Sequence, residues 1–114
     1  MNEYKEITAT ELKNLLKSEQ KILIVDVRSK EEYEEVHIDG AYLMELPKFN
    51  QETLEQKCAS IENLQSVIFY CKAGFRSKSA IQHLENFAYE TYNLQGGISS
   101  WIGMSYQVII DDEY

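Results

Sequence analysis

No apolar run in this chain approaches the ~20 residues that a bilayer span requires, so membrane insertion is excluded. Nothing supports peripheral membrane contact either. Positive charge is in deficit: 11 Lys and Arg stand against 19 Asp and Glu, a formal net charge of -8. That balance argues against nucleic acid or an anionic membrane as partner, because both attract an excess of Lys and Arg. Two cysteines are too few for a disulfide scaffold, and Met1 to Glu6 lack the basic-then-apolar pattern of a secretory leader. A cytoplasmic chain with reduced thiols is the expectation. Proline occurs once, and there are no repeats, linkers or low-complexity segments. With 114 residues the expectation is one domain over 1–114, with a core from about 7 to 101 and a tail from 104 to 114. A chain of this size buries roughly two-thirds of its unfolded surface without disulfides or metal.

What is present alternates. Thr8 with Glu11 reads as a capping box, and Leu12, Leu15 and Leu16 share one helical face, which predicts a helix from about Thr10 to Ser18. Ile22-Leu23-Ile24-Val25 has the continuous aliphatic character of a strand buried on both faces. Ser29 with Glu32 repeats the capping box ahead of a short helix from Lys30 to Glu35. His37 to Ala41 forms a turn before a brief strand near Tyr42 and Leu43. Pro47 closes that connection, and Thr53 to Ala59 carries a weaker helical pattern. Val67 to Tyr70 is the second confident strand, and Ser77 to Phe87 places Ala80, Ile81, Leu84 and Phe87 at helical spacing. Tyr92 and Leu94 suggest another strand, and a last helix begins near Ser99 and carries Trp101. The tail from Tyr106 is β-prone and then acidic, with no structure assigned. Strands alternating with helices predict an α/β domain with a largely parallel sheet and helices on both faces. Reactive loops in such folds gather at the carboxyl ends of strands, so Asp26-Val27-Arg28 and Cys71 are expected on one rim.

The run Cys71-Lys72-Ala73-Gly74-Phe75-Arg76-Ser77 lies between a strand pattern and a helix pattern. A thiol there meets converging backbone N–H groups and the helix dipole, with Lys72, Arg76 and Lys78 adding positive charge. Near helix N-termini and cations a cysteine pKa falls to roughly 3.5–7.5, which favours the nucleophilic thiolate. The basic loop reads as an attractor for a small anion or an acidic protein tail. Cys58 falls on the apolar side of its helix and reads as a small buried hydrophobe. Arg76 fits either a substrate ligand or a brace of the loop, while Asp26 and Arg28 read as structural support through an ion pair. Phe75 lines an entrance or marks a docking surface. His37 reads as structural, His83 as solvated, and Trp101 as packing the last helix onto the sheet.

In this order, Asp26-Val27-Arg28, Glu31-Glu32-Tyr33, His37-Ile38-Asp39-Gly40-Ala41, Cys71 to Ser77, and Leu94-Gln95-Gly96-Gly97 with Trp101 resemble the rhodanese-like family of small single-domain sulfurtransferases. The resemblance implies a five-stranded, mainly parallel sheet flanked by helices. It also implies a catalytic Cys71 that carries sulfane sulfur as a persulfide, and a loop from Lys72 to Ser77 that binds the substrate through amides of those residues, Gly74 supplying the backbone freedom. Donors would be small sulfur-containing anions or persulfides, with a protein as a further donor or acceptor, and no metal or organic cofactor. Related phosphatases and arsenate reductases have one more residue between cysteine and arginine, and the shorter ring here suits a sulfur atom. Such a phosphatase-type enzyme and a non-catalytic binding module of the same fold are the rival readings. Two departures from the family pattern, Val36 in place of a glycine and Leu43 to Pro47 in place of an Asn-Ile-Pro stretch, bear on the connection after the second helix.

Overall fold

The structure, a computed structural model, describes residues 3–110. In chain order the elements are β1 (Lys5–Ile7), α1 (Ala9–Lys17), β2 (Lys21–Asp26), α2 (Lys30–Glu35), β3 (Val36–Ile38), β4 (Tyr42–Leu43), a 3-10 turn (Leu46–Lys48), α3 (Gln51–Ala59), β5 (Leu64–Tyr70), α4 (Phe75–Gln82), β6 (Glu90–Leu94), α5 (Gly97–Gly103) and β7 (Val108–Ile110). Both capping boxes form: the Thr8 and Ser29 hydroxyls accept from the Glu11 and Glu32 amides, and each glutamate accepts the cap residue's N–H. Five strands make a parallel sheet in the order β1-β6-β5-β2-β4, and β3 pairs antiparallel with β7.

Alternation along the central strands divides the core. Leu23, Val25, Val67 and Phe69 pack against Leu54 and Cys58 of α3 and Ala80 and Ile81 of α4. Ile24, Ile68 and Tyr70 face the other way, against Leu12 of α1 and Ile98 and Trp101 of α5. Because successive side chains of a strand point to opposite faces, Cys71, one step past β5, joins the α3/α4 side. Asp26 is in register with Tyr70, and the Val27 amide extends the ladder to the Tyr70 carbonyl at 3.1 Å. The two site segments therefore do leave the sheet at one rim.

Three elements differ from expectation. Strand β1 carries little apolar signal and exists because β6 supplies its pairing. Strand β3 follows α2 without a loop: Val36 is extended at φ -161°, and its β-branched side chain favours that conformation. The helix expected from Ser77 to Phe87 is instead α4, ending at Gln82. Gln51 of α3 explains the stop, since its side-chain amide donates to the Glu85 carbonyl at 2.7 Å and accepts the Glu85 N–H at 2.9 Å, taking the groups a continuing helix would use. Leu84 and Phe87 still reach the core, from irregular backbone. The β-prone part of the tail forms β7, and its acidic end lies outside the described residues.

Tyr70 ties the two sheets together, its buried hydroxyl accepting the Ile38 N–H at 3.1 Å. Replacing Tyr70 by Phe leaves that buried amide unpaired and is expected to lower the unfolding free energy by about 1–3 kcal/mol, measured by urea denaturation.

Candidate active site

The turn from β5 into α4 is shaped from outside by α5. The Cys71 carbonyl accepts the Ile98 N–H at 2.9 Å and the Lys72 carbonyl accepts the Ser99 N–H at 3.1 Å. In a trans peptide the N–H points opposite to the carbonyl, so holding the Lys72 carbonyl outward turns the Ala73 N–H inward. Gly97 permits this approach: a Cβ there would lie 2.4 Å from both carbonyl oxygens. Gly74, at φ +109°, supplies the left-handed residue that starts α4 and aims its own N–H at the Cys71 Sγ, at 3.0 Å.

Cys71 is 1% exposed. Burial pushes its pKa up, but hydrogen bonds from the Ser77 hydroxyl and from the Ser77, Gly74 and Ala73 amides outweigh burial and leave it below the ordinary thiol value. The amide cradle is thus narrower than the sequence suggests, centred on Ala73, Gly74 and Ser77. Lys72 and Ala73 have exposed side chains, Gly74 and Ser77 are buried, and Phe75 projects from the loop tip at 79% exposure.

The cations expected to stabilise the anion are mostly engaged elsewhere. Arg76 donates from both terminal nitrogens to Glu32, at 2.7 and 2.9 Å, and Lys78 lies 3.9 Å from Glu6. Lys72 has no ion-pair partner among the described residues. The sequence marks Glu32 as the third residue of a capping box and as part of Glu31-Glu32-Tyr33, but not as the partner of Arg76. It caps α2 and pairs with Arg76, and the hydrogen bond with Arg76 holds its carboxyl down at about 2.

Asp26 and Arg28 form a buried two-point ion pair, with Nη2 to Oδ2 at 2.8 Å and Nε to Oδ1 at 3.1 Å, and Arg28 also donates to the Val36 carbonyl at 2.5 Å. They fasten the rim to β3. His37 stacks on Tyr33 with centroids 3.8 Å apart and bonds the Tyr33 carbonyl through Nδ1. His83 is exposed at the C-terminal cap of α4. Cys58 is buried on α3, and burial pushes its thiol up to about 11. Sequence reasoning missed Asn93 of β6, which is fully buried and accepts the Ser77 hydroxyl at 2.5 Å. An Asn in a strand flanked by Tyr92 and Leu94 was the available signal. Among the described residues no group of three or more His, Cys, Asp or Glu could hold a metal ion, and no helix is long and apolar enough to cross a membrane.

A family model described as the Rhodanese-like domain matches residues 8–104. The chain is 34% identical over 99 residues to the thiosulfate sulfurtransferase GlpE of Coxiella burnetii, covering 86% of this chain and 87% of that protein. It is also 34% identical over 96 residues to the probable adenylyltransferase/sulfurtransferase MoeZ of Mycobacterium tuberculosis. That match covers 83% of this chain but 24% of MoeZ, so the chain spans about a quarter of that relative. A rhodanese-like domain protein of Staphylococcus aureus superimposes with a TM-score of 0.66 at 31% identity, covering 85% of this chain and 90% of that one. A yeast protein tyrosine phosphatase of the Rhodanese family superimposes with a TM-score of 0.71 at 22% identity, over 90% and 87% of the two chains, a likeness of fold alone.

Two outcomes test this geometry. Gly97→Ala drives a methyl group into the Cys71 and Lys72 carbonyls; it should cost about 2–4 kcal/mol in denaturant unfolding and raise the thiol pKa. Glu32 is depressed from 4.5 to about 2, so its contribution to stability is present above 4.5 and is lost as pH falls towards about 2. Thermal melting of the native protein should drop through that window, and Glu32→Gln should lack that part of the drop.

Proposed function

The chain belongs to the rhodanese-like domain family, and from that premise we propose that it is a sulfurtransferase working through a persulfide on Cys71, in a cytoplasm that keeps thiols reduced. The observation that carries this reading is the Cys71 Sγ, held by three loop amides and the Ser77 hydroxyl, with its pKa lowered despite burial. With thiosulfate as donor, the Cys71 thiolate attacks the outer sulfur. A new S–S bond forms, the donor's own S–S bond breaks, and its electron pair leaves with sulfite. The negative charge then rests on the terminal persulfide sulfur, where inward amide dipoles stabilise it without a metal or organic cofactor. A thiolate or cyanide acceptor attacks that terminal sulfur, takes it, and regenerates the Cys71 thiolate, giving ping-pong kinetics. Lys72, the exposed cation of the loop, is positioned to attract an anionic donor. Ala73, Gly74 and Ser77 supply donors, Arg76 braces the loop through Glu32, and Phe75 borders the entrance. Asp26 and Arg28 support the rim. Small sulfur anions and persulfides fit the donor role, and a partner protein is a further donor or acceptor.

Phosphatase chemistry is less well served. A tetrahedral oxyanion needs donors for several oxygens, whereas Arg76 gives both terminal nitrogens to Glu32 and the thiol is closely covered. Incubation with thiosulfate or a glutathione persulfide should add one sulfur mass to the peptide containing Cys71, removable by cyanide. Cys71→Ser should abolish the adduct, and Cys58→Ser should keep it. An unchanged Cys71 peptide with every donor, or turnover of an aryl phosphate in its place, rejects the assignment.

A further inference from the structure

The Ser77 hydroxyl has one proton and three acceptors around it. The Asn93 Oδ1 lies at 2.5 Å, the Gly74 carbonyl at 3.2 Å and the Cys71 Sγ at 3.5 Å. Asn93 has no freedom to choose its orientation. Its Nδ2 donates to both carboxylate oxygens of Glu6, at 3.1 and 3.2 Å, and an ionised carboxylate, being an acceptor only, must face the amide's N–H groups and not its oxygen. Glu6 on β1 therefore presents the Asn93 oxygen, not its nitrogen, to Ser77 on α4. We propose that Glu6 and Asn93 are positioning residues that compete with Cys71 for the Ser77 proton, so that this chain of contacts decides whether the hydroxyl donates to sulfur or away from it.

The two states balance by hydroxyl rotation and the loss of one proton. With Cys71 protonated, its S–H donates to the Ser77 oxygen and the Ser77 O–H donates to Asn93, so every member is paired. When Cys71 releases its proton to solvent or a base, the Ser77 O–H turns to the sulfur anion. The Asn93 oxygen, fully buried, then loses its donor, which costs free energy. Asn93 thus favours the thiol over the thiolate and partly offsets the amide cradle. The catalytic meaning rests on Cys71 being the nucleophile, but the relay itself is a matter of titration.

Charged groups reach this region from several elements: Glu6 from β1, Asp26 paired with Arg28 after β2, Glu32 of α2 paired with Arg76 of α4, Lys78 of α4 paired with Glu6, and Lys72 of the loop. Removing Glu6 therefore also acts through space, and a double-mutant cycle separates the two routes. The Cys71 titration is read from thiolate ultraviolet absorbance, with Cys71→Ser as blank, in the native protein and in Glu6→Gln, Ser77→Ala and the double variant. With Gln at position 6, Asn93 is free to turn its nitrogen to the Ser77 oxygen and leave the O–H to sulfur. The expected result is a midpoint lowered by about half a unit to one unit when Ser77 is present, and a clearly smaller shift when it is Ala. Equal shifts in both backgrounds make Glu6 a simple through-space charge and overturn the relay, as does no shift, or one that raises the midpoint, with Ser77 present. Absorbance reports the thiolate whether or not sulfur is transferred, so a failed sulfurtransferase assignment would be distinguishable from a failed relay.

Discussion

Two backbone hydrogen bonds shape the turn at Cys71: the Ile98 and Ser99 amides of α5 hold the Cys71 and Lys72 carbonyls away from the thiol. Peptide planarity converts that outward pull into an inward-facing amide. Gly97 is required because the backbones approach too closely for a Cβ. Trp101, buried on the opposite face of the sheet from Cys71 and bonded through Nε1 to the Gln107 carbonyl, fixes α5 in the place from which those amides act. Cys71 and its main organiser thus lie on opposite sides of β5, joined across the strand's end.

Charge is arranged to leave the sulfur dependent on dipoles. Arg28, Arg76 and Lys78 each meet a carboxylate, and the balance at the thiol falls to amides and one hydroxyl. Fixed dipoles need little reorganisation when charge appears on sulfur. A cation held by its own carboxylate remains useful as a brace: the Glu32–Arg76 pair links the start of α2 to the start of α4, and the Asp26–Arg28 pair links the sheet rim to β3. Among the described residues Lys72 is the exposed cation of the loop without an ion-pair partner.

Within the same loop Cys71 is only 1% exposed. Phe75 and Lys78 stand at the loop's outer edge, with Lys78 Nζ 5.9 Å from the Phe75 ring centroid.

Much of the framework was legible from local signals. Continuous aliphatic runs gave β2 and β5, the two capping boxes gave the starts of α1 and α2, and the Cys71 loop between an aliphatic run and a helical pattern gave the strand-to-helix turn that holds the thiol. These are properties of neighbouring residues, which backbone sterics and hydrogen-bond geometry translate directly into conformation. The structure alone decided the end of α4, where Gln51 intercepts the Glu85 backbone, the short strands β1 and β7, and the partners of the loop's charges. Arg76 meets Glu32 across 44 positions and Asn93 meets Glu6 across 87. Long polar side chains carry no periodic signal for such pairings; their partners are fixed only when the sheet order brings separate strands and helices side by side.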